Sequence, residues 1–429
     1  MADTKPDPVS GRHRRPPEER ATYGEVIAIR EFRALWLGQG LSLLGDQMAQ
    51  VALAVLVYDR TGSALLTAAT YALTYLPPIL GGPLLSGLAD RYPRRRVMIT
   101  CDVARAVLVA AMAVPGMPFA ALCVLLFCVV LLSAPFSAAR AALLPEILPG
   151  DKYVVGSALQ NMTHQATQMI GFVAGAGVIT LLGPYRALAL DSATFLASAL
   201  FLVAGVRSRA ASAGPEDRSR PSMWTMTRAG ARMVFGDPRL RTLVLFAWLC
   251  GFYIVPEGLA APYAAELGGG PVAVGLLMAA MPTGTVIGAF LFSRLVSPSG
   301  RLRSMGWLTL LTCAPLIFSA LGPGLPIVLG LWVLSGIGGA YQLAANAAFV
   351  QCVPAEGRAQ AFGLVQSGLL AAQGLGILLG GAAAQALGPE PVVALAGAAG
   401  LCVASVLALS WSDIRADIIR DVRASADSC

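Results

Sequence analysis

The chain has 429 residues, of which 56% are hydrophobic and only 13% are charged. An average soluble protein has about 25% charged residues, so this chain has too little polar surface to cover a water-soluble globule of its size. The composition therefore predicts an integral membrane protein. The net charge of +7 does not indicate a nucleic-acid partner, because the basic residues are nearly all arginines in short segments between apolar runs, which membrane orientation explains better.

Twelve apolar runs are long enough to cross the hydrocarbon core of a bilayer, which takes about 20 helical residues. The predicted fold class is therefore an all-α integral membrane protein with twelve transmembrane helices. We label these helices α1 to α12, with predicted ranges 34–57, 65–89, 97–114, 119–142, 153–181, 185–206, 240–264, 272–296, 302–321, 325–350, 358–386 and 391–411.

The connections between these runs alternate between short turns rich in Gly and Pro and segments that carry charge. If both termini lie with the charged segments, that side has all 31 Lys and Arg residues except Arg60, Arg105 and Arg186. By the positive-inside rule, both termini are then cytoplasmic. The near absence of lysine indicates a GC-rich bacterial source, so the predicted location is the bacterial inner (plasma) membrane, in a multi-pass arrangement.

The longest connection, Arg207 to Arg241, divides the helices into two sets of six. The predicted organisation is a disordered tail at 1–30, a six-helix half at 31–206, a linker at 207–239, a second six-helix half at 240–411 and a C-terminal tail at 412–429. In the linker, Arg228 and Arg232 alternate with Met and other apolar residues, which predicts a short amphipathic helix at the inner surface. We interpret it as a packing strut rather than a regulatory element.

The two halves also share a sequence repeat. At a fixed offset, Gln168, Gly171, Gly175 and Leu182-Gly183-Pro184 recur as Gln373, Gly376, Gly380 and Leu387-Gly388-Pro389. This recurrence predicts two parallel six-helix repeats. The glycine pairs predict close helix packing, with smooth faces suited to halves that rock against each other.

The connection between α2 and α3 reads Gly87-Leu88-Ala89-Asp90-Arg91-Tyr92-Pro93-Arg94-Arg95-Arg96. With twelve helices in two repeats, it resembles the major facilitator superfamily and its signature loop, G-x-L-A-D-R-x-G-R-R. Ser86 and Pro93 stand where that pattern has glycine. Phe32-Arg33-x-Leu35-Trp36, Gly45-Asp46 and Leu144-Pro145-Glu146 further resemble the branch that contains the enterobactin exporter and macrolide efflux proteins. The resemblance implies the major facilitator fold and secondary transport by alternating access.

Asp90 at a cytoplasmic helix end can accept hydrogen bonds from a helix N-terminus or pair with an arginine across the gap. We predict that it is a latch that holds the halves together on the inside, with Arg91, Arg140 or the start of α11 near Arg358 as its partner. The alternative is that the charges of this loop only stop translocation. The predicted gate residues are Gly87, Asp90, Arg91, Arg94, Arg95 and Arg140.

Two acids are predicted to carry the coupling proton, because ionisable groups inside a membrane are costly and mark function. Asp46 lies near the middle of α1. Glu257 follows Pro256 in α7, and α1 and α7 occupy equivalent places in the two halves. The alternative is that each carboxylate is paired for structural reasons.

Three further ionisable residues are assigned other roles. Asp102 and Arg105 are three residues apart in α3 and are predicted to neutralise one another as a structural pair. Asp191, about one turn from the outer end of α6, is predicted to be a surface or capping group.

The predicted lining of the substrate cavity is aromatic and amide, with few fixed charges. Its candidate residues are Gln39, Tyr253, Tyr341, Gln342 and Asn346. Such a lining suits an uncharged or amphipathic organic substrate better than a multivalent anion. No cofactor and no metal site are predicted, because the chain has two histidines, no metal-ligand spacing and no phosphate-binding loop.

The predicted function is proton-coupled efflux of a lipophilic or amphipathic small molecule, such as a drug, natural product or siderophore. The predicted partners are this substrate, protons and the lipid bilayer, with no nucleic acid, and the carrier is expected to be monomeric. The alternative is an uptake carrier or facilitator for a small metabolite. A non-transporting receptor or membrane-embedded enzyme is disfavoured, because no nucleophile and base set is present.

Overall fold

The structure, a computed structural model, describes residues 21–85, 91–209, 223–354 and 357–427. All regular secondary structure in these residues is helical. Ten helices are long and apolar enough to cross a membrane. They are α1 (Arg30–Thr61), α4 (Phe119–Ile147), α5 (Asp151–Leu182), α6 (Pro184–Gly205), α7 (Pro238–Gly258), α8 (Pro271–Leu295), α9 (Gly300–Leu321), α10 (Leu325–Cys352), α11 (Gln360–Leu387) and α12 (Pro389–Ser412).

The two remaining predicted helices are also helical. α2 consists of Ala64–Ala72 and Leu76–Leu85, with a turn between them, and α3 is Arg94–Met112. α3 opens on three consecutive arginines and holds Asp102 and Arg105, so it is less apolar than the others. The all-α prediction is thus confirmed, and the described helices are consistent with a count of twelve.

Two segments predicted as tails are helical in part. Tyr23–Ala28 forms a short helix, begun by Thr22, whose hydroxyl accepts a hydrogen bond from the Glu25 amide. Val26 of this helix is fully buried, which ties the segment to the first half. At the other end, the helix that begins at Pro389 continues to Asp427, so most of the predicted C-terminal tail extends α12. In the linker, a helix covers Met223–Gly236 and packs against α7 and α11.

Two helices are interrupted inside the membrane. α7 runs as Pro238–Trp248, Cys250–Tyr253, Val255–Gly258 and Ala260–Glu266, since Pro256 lacks the amide donor that a continuous helix needs. α10 runs as Leu325–Gly338 and Tyr341–Cys352. Both interrupted helices still count among the ten candidate spans.

Each half packs around its own first helix. α1 packs against α5 and α6, α3 packs against α4 and α6, and the second half repeats this scheme with α7 against α11 and α9 against α12. The halves meet where α5 lies against α8 and where α2 lies against α11. The second contact joins α2, which precedes the signature loop, to α11, which carries the second copy of the sequence repeat.

The repeated glycines pack within each half and not between the halves, so the prediction of sliding glycine faces was wrong. Gly175 of α5 lies against α1, and Gly376 of α11 lies against α7. The small residues between the halves are instead Gly275, where α8 approaches α5, and Gly381, where α11 approaches α2. A side chain at either position would collide with the opposite helix.

We call the side where α1 begins the tail side and the side where α1 ends the far side. The halves are in contact on the far side, where the Ser63 hydroxyl donates to Gln385 Oε1 at 2.7 Å. The same Gln385 oxygen accepts from the Leu65 amide at 3.3 Å. The far-side ends of α2 and α11 are thereby joined by polar contacts as well as by close packing.

Candidate functional site

A cavity of about 780 Å³ lies among the tail-side parts of α7, α8, α10 and α11. Its lining is apolar with five amide or hydroxyl residues, and none of the described residues that line it is charged. The polar ones are Gln165, Thr285, Gln342, Asn346 and Gln366. Cavities of about 300–1,000 Å³ with mostly apolar walls and a few polar groups bind drug-sized organic ligands.

The structure places two of the five predicted cavity residues, Gln342 and Asn346, in this lining. The break in α10 brings Gln342 into the first turn of the second segment, where its amide nitrogen donates to the Tyr253 hydroxyl. Tyr253 itself is only 8% exposed and does not line the cavity. It orients Gln342 rather than facing a substrate.

Tyr341 and Gln39 also lie outside the lining, contrary to the prediction. Tyr341 is fully buried, and its hydroxyl donates to the Phe246 carbonyl at 2.8 Å. Its ring packs against the Phe246 ring, with 6.1 Å between centroids. Gln39 belongs to α1, whereas the cavity is built almost entirely from the second half. Gln165 of α5 and Gln366 of α11 are lining residues that the sequence did not single out.

In the first half, Asp46 is paired with the only arginine of α3 that lies inside the membrane. Arg105 Nη2 lies 3.1 Å from Asp46 Oδ1 and 3.2 Å from Oδ2. The guanidinium also covers the Phe195 ring, with Cζ 4.1 Å from the ring centroid. Asp46 is therefore not an isolated carboxylate, because an arginine from a neighbouring helix reaches it.

The predicted pair of Asp102 and Arg105 is wrong. Arg105 pairs with α1, and Asp102 Oδ2 instead accepts a hydrogen bond of 2.7 Å from the Ser198 hydroxyl of α6. Asp102 is fully buried. Spacing along α3 allowed the intrahelical pair, but the long arginine side chain reaches a partner across the helix interface.

Asp191 was predicted to be a surface or capping group, but it is buried, with an exposure of 1%. It lines a pocket of about 220 Å³ together with Asp46, Arg105 and His164. Gly45 is what makes room for it, because a side chain there would collide with Asp191 Oδ1. Gly45 is the feature of the α1 sequence that leaves room for the Asp191 side chain of α6.

Glu257, the second predicted coupling residue, joins the two halves. It is 6% exposed, and its Oε2 accepts a hydrogen bond of 2.8 Å from the hydroxyl of Tyr71 in α2. The Tyr71 ring lies edge-on to Tyr75, with 5.8 Å between centroids. Tyr71 was missed by sequence reasoning, because nothing along the chain connects α2 with α7.

Gly87 and Asp90 of the signature loop lie outside the described residues. Of the other predicted gate residues, Arg91 is exposed and Arg140 is half-buried in α4. Arg94 donates to the Ala142 carbonyl at 3.1 Å and to the Glu146 carboxylate. The start of α3 is therefore held to the tail-side end of α4.

Arg95 holds α3 to α6 in a similar way, donating to the Leu202 carbonyl at 3.2 Å and the Val203 carbonyl at 2.5 Å. These carbonyls end α6, and an arginine satisfies their unpaired acceptors. The arginines after the loop thus bind the tail-side ends of helices within their own half.

A second group of ion pairs connects the end of α4 and the start of α1 with the first residues of the linker. Glu146 lies 3.8 Å from Arg209 Nε, and Arg209 Nη1 lies 2.7 Å from Glu31 Oε2 at the start of α1. Arg207 also approaches Glu31 at 3.5 Å. The first residues of the linker are anchored to the first half by this network.

Comparison with known proteins identifies the family to which this architecture belongs. The family model described as Major Facilitator Superfamily matches residues 35–259 and 258–418. The chain is 27% identical over 365 residues to the multidrug efflux pump Tap of Mycolicibacterium fortuitum, an alignment that covers 80% of this chain and 87% of that protein. It is 33% identical over 73 residues to macrolide efflux protein A of Streptococcus pyogenes, covering 17% and 18% of the two chains.

Solved structures share the fold at low sequence identity. A crystal structure of a POT family transporter in complex with a thioalcohol-conjugated peptide has a TM-score of 0.72 at 13% identity, covering 90% of this chain and 96% of that chain. A bacterial homologue of the iron transporter ferroportin, in an inward-facing state, has a TM-score of 0.65 at 17% identity, with 90% and 99% covered.

Proposed function

Because the chain belongs to the major facilitator superfamily, we propose that it exports a lipophilic or amphipathic small molecule in exchange for protons, by alternating access. The observation that carries this proposal is the cavity of about 780 Å³ with no charged residue among its described lining. A multivalent anion would need cations in such a lining. An amphipathic organic molecule needs apolar surface and a few hydrogen-bonding groups, which this cavity has.

The direction of transport is supported by relatives. Two similar proteins are named as a multidrug efflux pump and a macrolide efflux protein. The distribution of arginines supports tails on the cytoplasmic side of a bacterial plasma membrane, so that the cavity lies in the cytoplasmic half and the packed far side faces outward. The carrier acts as a monomer in this proposal.

The proton dependence is supported by two carboxyl groups within the membrane-spanning helices. Asp46 lies beside Arg105 in the first half, and Glu257 accepts a hydrogen bond from Tyr71 of the other half. A carboxyl group with little access to bulk water changes its interactions strongly when it gains or loses a proton. The Glu257 site joins two helices, α2 and α7, that belong to different halves.

The direct test is export from an efflux-deficient bacterial host against a panel of toxic compounds that includes macrolides. Expression of the wild-type chain should raise the tolerated concentration of at least one compound, and a protonophore should remove the effect. Accumulation of that compound inside energised inverted vesicles is expected for an exporter. Its accumulation inside right-side-out cells would instead establish the uptake alternative.

A variant that adds a large side chain to the cavity tests whether the exported compound binds there. Ala289→Trp places an indole in the cavity lining of α8 and should lower the tolerance, since the indole takes space in the cavity that a drug-sized ligand needs. Ile287→Trp is the matched control, because Ile287 belongs to the same helix but is 40% exposed and does not line the cavity. Equal export by the two variants would contradict the placement of the substrate.

Asp90 is proposed as the latch of the cytoplasmic gate, supported by the signature-loop motif at Gly87 to Arg96. Asp90→Asn should lower the transport rate while protein remains in the membrane at wild-type level, because the amide cannot form a charge-assisted bond. Transport by fluorescence efflux and membrane abundance by immunoblot give the two readouts. Asp151→Asn, a tail-side acid at the start of α5, should be unaffected; wild-type efflux by Asp90→Asn would remove the latch.

A further inference from the structure

Among its described residues, the first half contains more buried carboxyl groups than buried cations. Asp102 and Asp191 are buried, the side chain of Asp46 is 25% exposed, and all three lie near Arg105. Asp102 accepts a hydrogen bond from Ser198 and does not line the pocket of about 220 Å³, whereas Asp46, Asp191 and Arg105 do. One guanidinium therefore shares this pocket with two carboxyl groups.

Of the two carboxyl groups in this pocket, Asp191 is the one without a cation partner among the described residues. Its Oδ1 accepts a hydrogen bond from the Thr194 hydroxyl, at 3.2 Å. α6 packs against α1, α3 and α5. The titratable groups of these helices that line the pocket with Asp191 are Asp46 from α1, Arg105 from α3 and His164 from α5, while Asp102 of α3 lies outside the pocket and is bonded to Ser198.

Two polar atoms of the residues that line the pocket have no hydrogen-bond partner within the described part of the protein. Arg105 is 7% exposed, and its Nε has no hydrogen-bond partner although Nη2 is bonded to Asp46. Gln47 is also 7% exposed, and its Oε1 has no partner. Both residues line the pocket. A buried N–H without an acceptor is costly, and a carboxylate at Asp191 is an acceptor within the same pocket.

We propose that Asp191 holds the exchangeable proton of the first half and that Arg105 alternates between Asp46 and Asp191. This inference rests on the proposed proton coupling and adds a carboxyl group to it. An ionised carboxylate buried without a cation is far costlier than a protonated one. With Arg105 bonded to Asp46, the two form a neutral pair and Asp191 is neutral because it carries the proton.

The proton balance of the cycle follows from this arrangement. When the guanidinium turns from Asp46 toward Asp191, the O–H bond of Asp191 breaks and its proton passes to water in the pocket or to Asp46. Release to water leaves the cluster with one negative charge, and protonation of either carboxyl group restores the starting charge, so by this route one proton is released and one is taken up in each complete cycle. Transfer to Asp46 leaves the cluster neutral and moves no proton between the cluster and water.

The location of the proton can be measured without any substrate. The full-length protein in a detergent without ester groups is examined by infrared difference spectroscopy between H₂O and D₂O, which shifts the C=O band of an exchangeable carboxylic acid. Wild-type protein should show a band of Asp191 at neutral pH, and Asp191→Asn should lack this band, whereas bands from other buried carboxyl groups such as Glu257 are common to both proteins. Asp102→Asn, the matched control for a buried aspartate outside the pocket, should keep it.

Asp46→Asn tests the role of the arginine. It frees the guanidinium to bind and ionise Asp191, so the band of Asp191 should also disappear. Persistence of the wild-type band in Asp191→Asn overturns the assignment of the proton. Persistence in Asp46→Asn overturns the alternation of Arg105.

Transport by proteoliposomes separates this inference from the proposed function. With a labelled macrolide as the probe, Asp191→Asn should lose accumulation driven by a pH gradient but keep exchange of internal for external macrolide, which needs no net proton movement. If wild-type protein moves no macrolide with a pH gradient although its band depends on Asp191, the proposed function fails and the proton site stands. If both proteins accumulate macrolide equally, this inference fails and the proposed function stands.

Discussion

Glu257→Gln should abolish transport driven by a pH gradient while leaving the far side of the molecule closed. The amide oxygen of glutamine can still accept the hydrogen bond that the Tyr71 hydroxyl now donates to Glu257 Oε2 at 2.8 Å. The amide cannot bind or release a proton. The variant therefore retains the contact between α2 and α7 and loses only the titration of the site. Proteoliposomes with and without a pH gradient provide the measurement, and unchanged pH dependence would remove Glu257 from the coupling mechanism.

Tyr71→Phe is the complementary variant. It keeps the ring and the carboxyl group but removes the hydrogen bond, which leaves a buried acceptor unsatisfied at a cost of about 1–3 kcal/mol. Because that bond joins the halves on the far side, the variant should populate the conformation that is open there. Spin labels across the Ser63 and Gln385 contact, in a background without native cysteines, would report the longer distance. A wild-type distance distribution in Tyr71→Phe would show that the bond does not hold the far side shut.

Arg105→Gln should destabilise the protein at neutral pH by less than the cost of about 3–5 kcal/mol that is typical of removing one partner of a fully buried ion pair, because the Asp46 side chain is 25% exposed. The substitution leaves Asp46 without its guanidinium and also removes the packing of Arg105 over the Phe195 ring. As the pH falls, protonation neutralises the unpaired Asp46, so the difference from wild type should shrink. Thermal unfolding in detergent at several pH values measures both effects.

The double variant Arg105→Gln with Asp46→Asn is the control for this interpretation. It removes both charges and should recover much of the lost stability, because no unpaired charge remains at this position. It should not recover proton-driven transport. If the double variant is as unstable as Arg105→Gln alone, the ion pair with Asp46 is not the origin of the loss.

The membrane class and the outline of the fold follow from local sequence properties. Apolar runs of about 20 residues cross a bilayer wherever they lie in the fold, so nearly every span could be predicted from its own residues. The repeat of Gln168 through Pro184 at Gln373 through Pro389 identified the two halves in the same way. The signature loop at Gly87 to Arg96 pointed to the family that the comparison with its model then showed.

The interruptions were harder to predict than the spans. Pro256 in the sequence of α7 favours a kink, but the divisions of α7 and α10 depend on how neighbouring helices satisfy the released backbone groups. Those divisions decide that Gln342 faces the cavity while Tyr253 and Tyr341 are packed behind it. Residue type indicated which side chains could line a cavity, but the rotation of each helix segment determines which of them face it.

Sequence alone determined which helices carry charge, and only the tertiary structure decided how those charges are paired. Arg105 was predicted to pair with Asp102 of its own helix, but it pairs with Asp46 of α1. Asp191 was predicted to lie at the surface, but it lies in the pocket between α1 and α6. Glu257 was recognised, but its partner Tyr71 is 186 residues away. The physical reason is that hydropathy is summed along one helix, whereas a charge in hydrocarbon takes whichever partner the packed neighbours bring within a few ångströms.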